Sequence, residues 1–287
     1  MFSTIYPANN KIFKTIFTLS LFYLLTSCSD FYPLDGTSPV ASEFIALKED
    51  DRILYKEGMR DEALLIQNVL DEMIKSIEEV HAKPFTKRVV VHLCDTRECF
   101  AENTGINSGI LAAVGSNGLF LKSYLIRNED YASWLAHELS HLHLLQQISL
   151  FKSSFIPPWY KEGLATYASN GGGADKVSRD EAIEYILQGK HIIATHSHFA
   201  FRAPWSLNYV VSSDDWDIPW YQQHMDYTQA AVFYEFLHPR GGVELLRSLE
   251  AGTSFSKAFQ TVYKNSPEEM FDIYRESVLV SESNQNI

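Results

Sequence analysis

Leu135-Ala136-His137-Glu138-Leu139-Ser140-His141, followed after Pro157-Pro158 by Trp159-Tyr160-Lys161-Glu162-Gly163-Leu164-Ala165, decides how this chain is read. On an α-helix, residues four apart are rotated by about 400°, so the imidazoles of His137 and His141 leave one face and can grip a single cation. Glu138, one position on, is angled away from that pair, where a carboxylate can take a proton from a metal-activated water. Tyr131, Trp134, Leu135, Leu139, Leu142 and Leu145 recur at helical spacing, and neither Pro nor Gly occurs between Glu129 and Ile156. Glu129 and Asp130 suit the positive end of a helix dipole. The motif is therefore expected on a helix, and the segment reads as the core of a zinc hydrolase. The alternative is an ordinary amphipathic helix whose histidines fall at this spacing by composition.

A catalytic zinc takes three protein ligands and keeps a fourth position open. Glu162 lies 21 residues beyond His141, and Pro157-Pro158 are expected to stop the first helix and to start a second, with Glu162 in its first turn. The small residues Gly163 and Ala165 let that second helix approach a neighbour closely. His143 points roughly 200° away from His141, so packing or solvation is its expected role. His191, His196 and His198 fall in a polar stretch and are expected to be solvated. A third histidine ligand in an H-E-x-x-H-x-x-G-x-x-H run is excluded by Leu144 and Gln147.

These residues resemble the gluzincin zinc metallopeptidases, with H-E-x-x-H and a distant Glu in an E-G-x-A helix. Trp159 to Tyr167 is especially similar to the peptidase MA-like families. The resemblance covers about residues 88–279 and is specific only over 134–167. It implies an α+β, zincin-like fold: a small mixed sheet, the H-E-x-x-H helix, then a mostly helical C-terminal part. It implies one Zn²⁺ per chain held by His137, His141 and Glu162, Glu138 as general base, and a peptide or protein substrate. A tyrosine some distance after the ligand Glu donates to the oxyanion in related enzymes; Tyr227 is the candidate here and His224 the second, the other reading being a half-buried packing tyrosine. One departure is Thr166, where thermolysin-like members often have an Asp that orients a ligand histidine; a hydroxyl can accept that N–H without adding charge. A strand within Gly118–Ile126 would, by the same resemblance, form the sheet edge to which extended peptides add, or else be an interior strand with no ligand role.

The chain begins with Lys11 and Lys14, the apolar run Ile16–Leu25 and then Leu25-Thr26-Ser27-Cys28, a pattern similar to a bacterial lipoprotein leader. The expected organisation is a signal peptide over 1–27, a lipid anchor at Cys28 and a flexible tether over 28–42. A single peptidase domain follows over 43–287, with an N-terminal helix and sheet (43–127), metal-binding helices (128–170) and a helical part (171–280). Ser29, in place of Asp, points to the outer membrane of a bacterial envelope. The net charge is −12, and losing residues 1–27 with their two lysines makes it −14, which disfavours nucleic acid or a basic patch on anionic lipid. Cys94 and Cys99 are either paired across a short loop or two buried thiols.

Other elements follow from pattern. Leu65, Ile66, Val69, Leu70, Met73, Ile74 and Ile77 predict a helix within Ser42–Val80, and Arg88–Leu93 a strand. Beyond Glu162, helices are expected over 179–188, 225–238, 242–250, 254–263 and 267–279, with a long loop over 204–221 and a frayed tail from Ser281. Gly171-Gly172-Gly173 lacks the Lys and Ser/Thr of a phosphate loop and reads as a flexible turn. Oligomeric state, cleavage specificity and endo- or exopeptidase action are not legible. Two readings from other classes stand beside the peptidase: a non-catalytic zinc-binding envelope lipoprotein, and a zinc amide hydrolase acting on cell-wall material.

Overall fold

The computed structural model describes residues 44–105, 111–115, 118–192 and 218–285. The expected leader, Cys28, the tether, His196, His198 and most of the 204–221 loop lie outside these residues. The fold is α+β and mostly helical with one small mixed sheet. Among the described residues, no helix is long and apolar enough to cross a membrane.

The chain enters as a short hairpin, β1 (Ile45–Ala46) antiparallel to β2 (Ile53–Tyr55), within the stretch expected to belong to the first helix. That helix, α1, spans Arg60–His81 instead. Ile66, Leu70 and Ile77 are fully buried along it, whereas Leu65 is 41% exposed, so the apolar stripe is narrower than its sequence. Ala82, in the left-handed conformation, ends α1 just before Pro84.

β3 (Val91–Cys94) lies parallel to β2 on one side and to β5 (Gly118–Lys122) on the other; β4 (Ala112–Gly115) pairs antiparallel with β5. The order β1-β2-β3-β5-β4 puts β5 inside the sheet, so the edge is β4 and not the expected strand within Gly118–Ile126, and the interior reading of β5 holds. All four residues of β3 are buried, because α1 covers one face and α2 (Arg97–Thr104) the other. Thr96 caps α2 by accepting from the Cys99 amide.

Cys94 and Cys99 form a disulfide beside Phe100 and Phe120, which resolves the two alternatives for this pair. Closing so short a loop removes little chain entropy, about 2 kcal/mol on the loop-entropy scale. The double variant Cys94→Ala/Cys99→Ala is expected to lose about that much in urea unfolding.

After the single-turn α3 (Ser123–Ile126), α4 (Tyr131–Gln147) carries the H-E-x-x-H motif, as expected. Every residue from Leu135 to Leu144 is buried, so α4 is enclosed all round. Leu135, Ala136, Leu139 and Leu142 join the core shared with α1 and the sheet. Leu144 and the following Ile148 join a second core built by the later helices. The helix therefore ends at Ile148, whose extended backbone turns its side chain into that second core, nine residues before the prolines expected to stop it.

A one-turn helix α5 (Leu150–Ser153) leads to α6 (Pro158–Ala168), which starts with Pro158 in its first turn. The remaining helices are α7 (Arg179–Leu187), α8 (Ile218–Leu237), α9 (Gly242–Glu250), α10 (Phe255–Tyr263) and α11 (Pro267–Gln285). α8 begins seven residues earlier than its pattern suggests and takes in the end of the expected loop. α11 runs through residues expected to fray. Trp159, Phe233, Phe255, Phe259 and Phe271 centre the second core, and the helices carrying the site lie where the two cores meet.

Candidate metal centre

Two helices from different cores bring the donors together. α4 is locked by its two-sided burial. α6 is anchored by Trp159, fully buried with its ring 5.3 Å from that of Phe233 and 6.0 Å from that of Phe255. Burying such a ring contributes about 3 kcal/mol, which fixes Glu162 one turn further along. Gly163 permits the close crossing: a Cβ there would stand 2.5 Å from the Ala230 carbonyl oxygen on α8. Glu162 is the fifth residue of α6, in its second turn and not its first.

The result is a buried trio. His137 Nε2 and His141 Nε2 are 3.1 Å apart, and Glu162 Oε2 stands 3.3 Å from the first and 3.4 Å from the second. All three residues are 5% exposed or less. These separations match the edges of a tetrahedron with bonds of about 2.0–2.1 Å, which are about 3.3–3.4 Å long. Burial alone pushes the Glu162 carboxyl up, but the adjoining His141 and His137 imidazoles outweigh it and hold the group well below the usual carboxylate range. A buried anion facing two imidazole nitrogens is a donor set that could hold a metal ion.

The outer nitrogen of His137 is also fixed. The Gly172 carbonyl oxygen lies 2.8 Å from Nδ1 and accepts its N–H, leaving the Nε2 lone pair directed into the trio. Thr166 Oγ1 is at 3.4 Å from the same nitrogen, so the expected hydroxyl is beside it but the closer partner is a backbone carbonyl. The run Gly171-Gly172-Gly173 is thus a packed seat for the ligand and not merely a turn: a Cβ on Gly173, whose φ is +80°, would come within 2.9 Å of the His137 ring. Gly173→Ala is expected to tilt that ring and weaken metal binding about 10–100-fold, read by competition with a chromogenic chelator.

Glu138 is on the same helix as both histidines and is 8% exposed. Tyr227 reaches the site from α8: its ring lies 5.8 Å from that of His137 at an interplanar angle of 12°, and its hydroxyl accepts from Gln223 Nε2 at 3.0 Å. His224, one turn earlier on α8, packs edge-to-face against Trp134, one turn earlier on α4. Its Nδ1 is 3.5 Å from Asp175 Oδ1 and 3.4 Å from the Lys176 amide nitrogen.

Among the described residues, the other histidines are not part of the trio. His143 is buried, with Nε2 2.8 Å from the Lys83 carbonyl oxygen, the packed role expected of it. His81 lies behind the motif, with Nε2 2.9 Å from Ser140 Oγ; burial holds its ring well below the ordinary imidazole range. His191, expected to be solvated, is half-buried against Phe271.

Asp175, Lys176 and the Gly172 carbonyl are the site groups that sequence reasoning missed. Three consecutive glycines right after the Glu162 helix were the available signal, since glycine is used where a backbone must approach closely. Compared with protein-family models and with curated proteins, the chain gives no match.

Proposed function

We propose that the chain is a zinc-dependent metallopeptidase of gluzincin type with a zincin-like fold, hydrolysing peptide bonds outside the cytoplasm. The observation that carries this reading is the convergence of His137 Nε2, His141 Nε2 and Glu162 Oε2 within hydrogen-bond distance of one another, with Glu138 next to His137 along α4. Two imidazoles and one carboxylate are borderline ligands that suit zinc, and three protein donors leave a position for water, the arrangement of a catalytic and not a structural site.

A zinc ion held there supplies Lewis-acid polarisation and acidifies water. Glu138 takes the proton from the attacking water and passes it to the leaving amine. The Gly172 carbonyl keeps the proton of His137 on Nδ1, so that Nε2 remains a ligand. Tyr227 and His224 are the groups available to an oxyanion, both arriving on α8. An extended substrate adds to the outer edge of β4, the last strand of the sheet among the described residues, which packs beside α4.

The Cys94–Cys99 disulfide supports an oxidising compartment, in line with the lipoprotein-like leader, a lipid anchor at Cys28 and a place in the bacterial envelope. Incubating the zinc-loaded protein with a diverse peptide library and with cell-wall muropeptides, with and without chelator, tests the assignment. Chelator-sensitive peptide cleavage is the expected result. Cleavage of muropeptides alone favours the cell-wall reading, and turnover of neither favours a binding protein.

A further inference from the structure

Charge is spread unevenly along this acidic chain. It has 36 acidic residues in 287, yet neither 80–94 nor 139–161 contains an Asp or a Glu. The fold packs these two runs together. α1 and α4 lie side by side in one direction, with the Tyr131 hydroxyl donating to the Leu65 carbonyl near their starts and His81 meeting Ser140 further along. Past the end of α1 the chain crosses the end of α4. His143 Nε2 lies 2.8 Å from the Lys83 carbonyl oxygen, Gln147 Nε2 donates to the Pro84 carbonyl at 2.8 Å, and Gln146 Oε1 accepts the Lys87 amide at 2.8 Å. Lys83 pairs with Glu250 and Arg88 with Asp51, so those two acids are neutralised. Lys87 and Lys152 are exposed and make no ion pair among the described residues.

The same end of the molecule carries an aromatic pair. The α5 segment is held from its inner side, where Ser153 and Ile156 are buried and the Ser153 amide donates to the Ser149 carbonyl at 2.9 Å. Phe151 and Phe155, one turn apart, point the other way. Their rings meet edge to face at 5.1 Å and are still 68% and 44% exposed. Two phenylalanines with a lysine between them, on a platform fixed by the core, have the composition of an interfacial membrane contact.

We propose that this end of the molecule docks on an anionic lipid bilayer, with Phe151 and Phe155 entering the headgroup region and Lys87 and Lys152 meeting lipid phosphates. The net charge of −12 repels such a surface as a whole, but ions screen that repulsion within about 8 Å at physiological salt. The face that touches therefore decides, and this one carries cations and no unpaired acid. A second copy of the chain fits the patch less well, because a two-fold contact centred on it would bring like lysines together, and two rings offer far less than the roughly 800 Å² per partner of a stable interface. Phe44, where the described structure begins, lies 16 positions after Cys28, and a chain of that length reaches at most about 55 Å. An anchor at Cys28 would allow many orientations of the domain; the docking surface selects one. It also sets the metal-ligand level of α4 about 10 Å of helix from the membrane-facing turn, counted from His141 to Ile148.

This surface rests on the envelope part of the functional reading and not on the peptidase part. The test places a nitroxide on the full chain at Phe151→Cys, at Phe155→Cys or, as the control, at Asp61→Cys, which lies at the start of α1 about 30 Å of helix from His81. Cys28→Ser in each protein leaves one thiol to label, since Cys94 and Cys99 are joined, and lets docking be read without the lipid anchor. The proteins are reconstituted into phosphatidylcholine vesicles with and without phosphatidylglycerol, and EPR compares how oxygen and a water-soluble nickel chelate reach each label.

With phosphatidylglycerol present, the labels at 151 and 155 are expected to be reached by oxygen and shielded from nickel, while the label at 61 stays open to nickel. Adding Lys87→Gln/Lys152→Gln is expected to lower the ratio of docked to undocked label at 151 about 25-fold, roughly fivefold for each lysine. Leaving out phosphatidylglycerol is expected to lower it as well. Labels at 151 and 155 as open to nickel as the one at 61 overturn the proposal. Shielding that appears without vesicles also overturns it, by pointing to a second copy or a protein partner, and shielding that the lysine substitutions leave unchanged overturns the assignment to anionic lipid. Docking without peptide hydrolysis leaves this surface standing and counts against the peptidase alone; hydrolysis without docking does the reverse.

Discussion

Glu138→Gln is expected to reduce peptide hydrolysis by on the order of 10²–10⁴-fold while the purified protein still carries one zinc per chain. The amide matches the carboxylate in shape but cannot accept the proton of the attacking water. Metal content is spared because the donor trio is His137, His141 and Glu162, and Glu138 is not a member of it. Glu138 is 8% exposed, and an uncharged group of the same size there costs the fold little. Parallel assays of turnover and metal content separate the two roles. A variant that hydrolyses peptides like wild type removes Glu138 as the base; one that loses both zinc and activity would show that Glu138 holds the metal.

The second large effect is expected at the distant carboxylate. Glu162→Ala removes the one donor that comes from outside α4, and two imidazoles alone do not make a three-ligand site. Zinc bound to the native state stabilises it in proportion to the logarithm of its excess over Kd, about 4 kcal/mol at a thousandfold excess. For a chain of this size that corresponds to roughly 10 °C in Tm. Wild type is therefore expected to lose roughly that much on addition of chelator, and Glu162→Ala to be insensitive to chelator. Equal chelator sensitivity in the two proteins would mean that the stabilising metal sits elsewhere. Because Glu162 is buried against both histidines, the comparison is made within each protein, with and without chelator, so that any cost of the substitution itself cancels.

What was legible in the sequence follows from how far each signal reaches along the chain. The spacing of His137 and His141 is a property of one helix, and α4 formed where the pattern put it. The partnership with Glu162 spans a loop and was expected only through the resemblance of its E-G-x-A segment, while Pro158 and Gly163 marked the helix start and the close crossing. The ends were less readable: α4 stops at Ile148 because a hydrophobic core claims that side chain, which no local residue announces. The β1–β2 hairpin was missed because strands of two and three residues are too short to show alternation. β4, Ala-Ala-Val-Gly, carries no polar alternation because both of its neighbours, β5 and α4, are buried elements.

The seat of His137 was misread for a different reason. Gly171-Gly172-Gly173 has no side chain to signal a role, and its contribution is a backbone carbonyl aimed at a ring 35 residues away. Asp175 and Lys176 reach His224 across 48 or more residues in the same manner. Contacts of this kind exist only once α4, α6 and α8 have packed together.

The central claim is that two imidazoles from α4 and one carboxylate from α6 jointly hold a single zinc ion. X-ray absorption at the zinc edge of the purified protein tests it most directly. One zinc per chain is predicted in a nitrogen and oxygen shell at about 2.0–2.1 Å, with imidazole scattering from two histidines, and no such zinc shell in Glu162→Ala. Protein that takes up no zinc, a sulfur shell at about 2.3 Å, or a spectrum that Glu162→Ala leaves unchanged would contradict it.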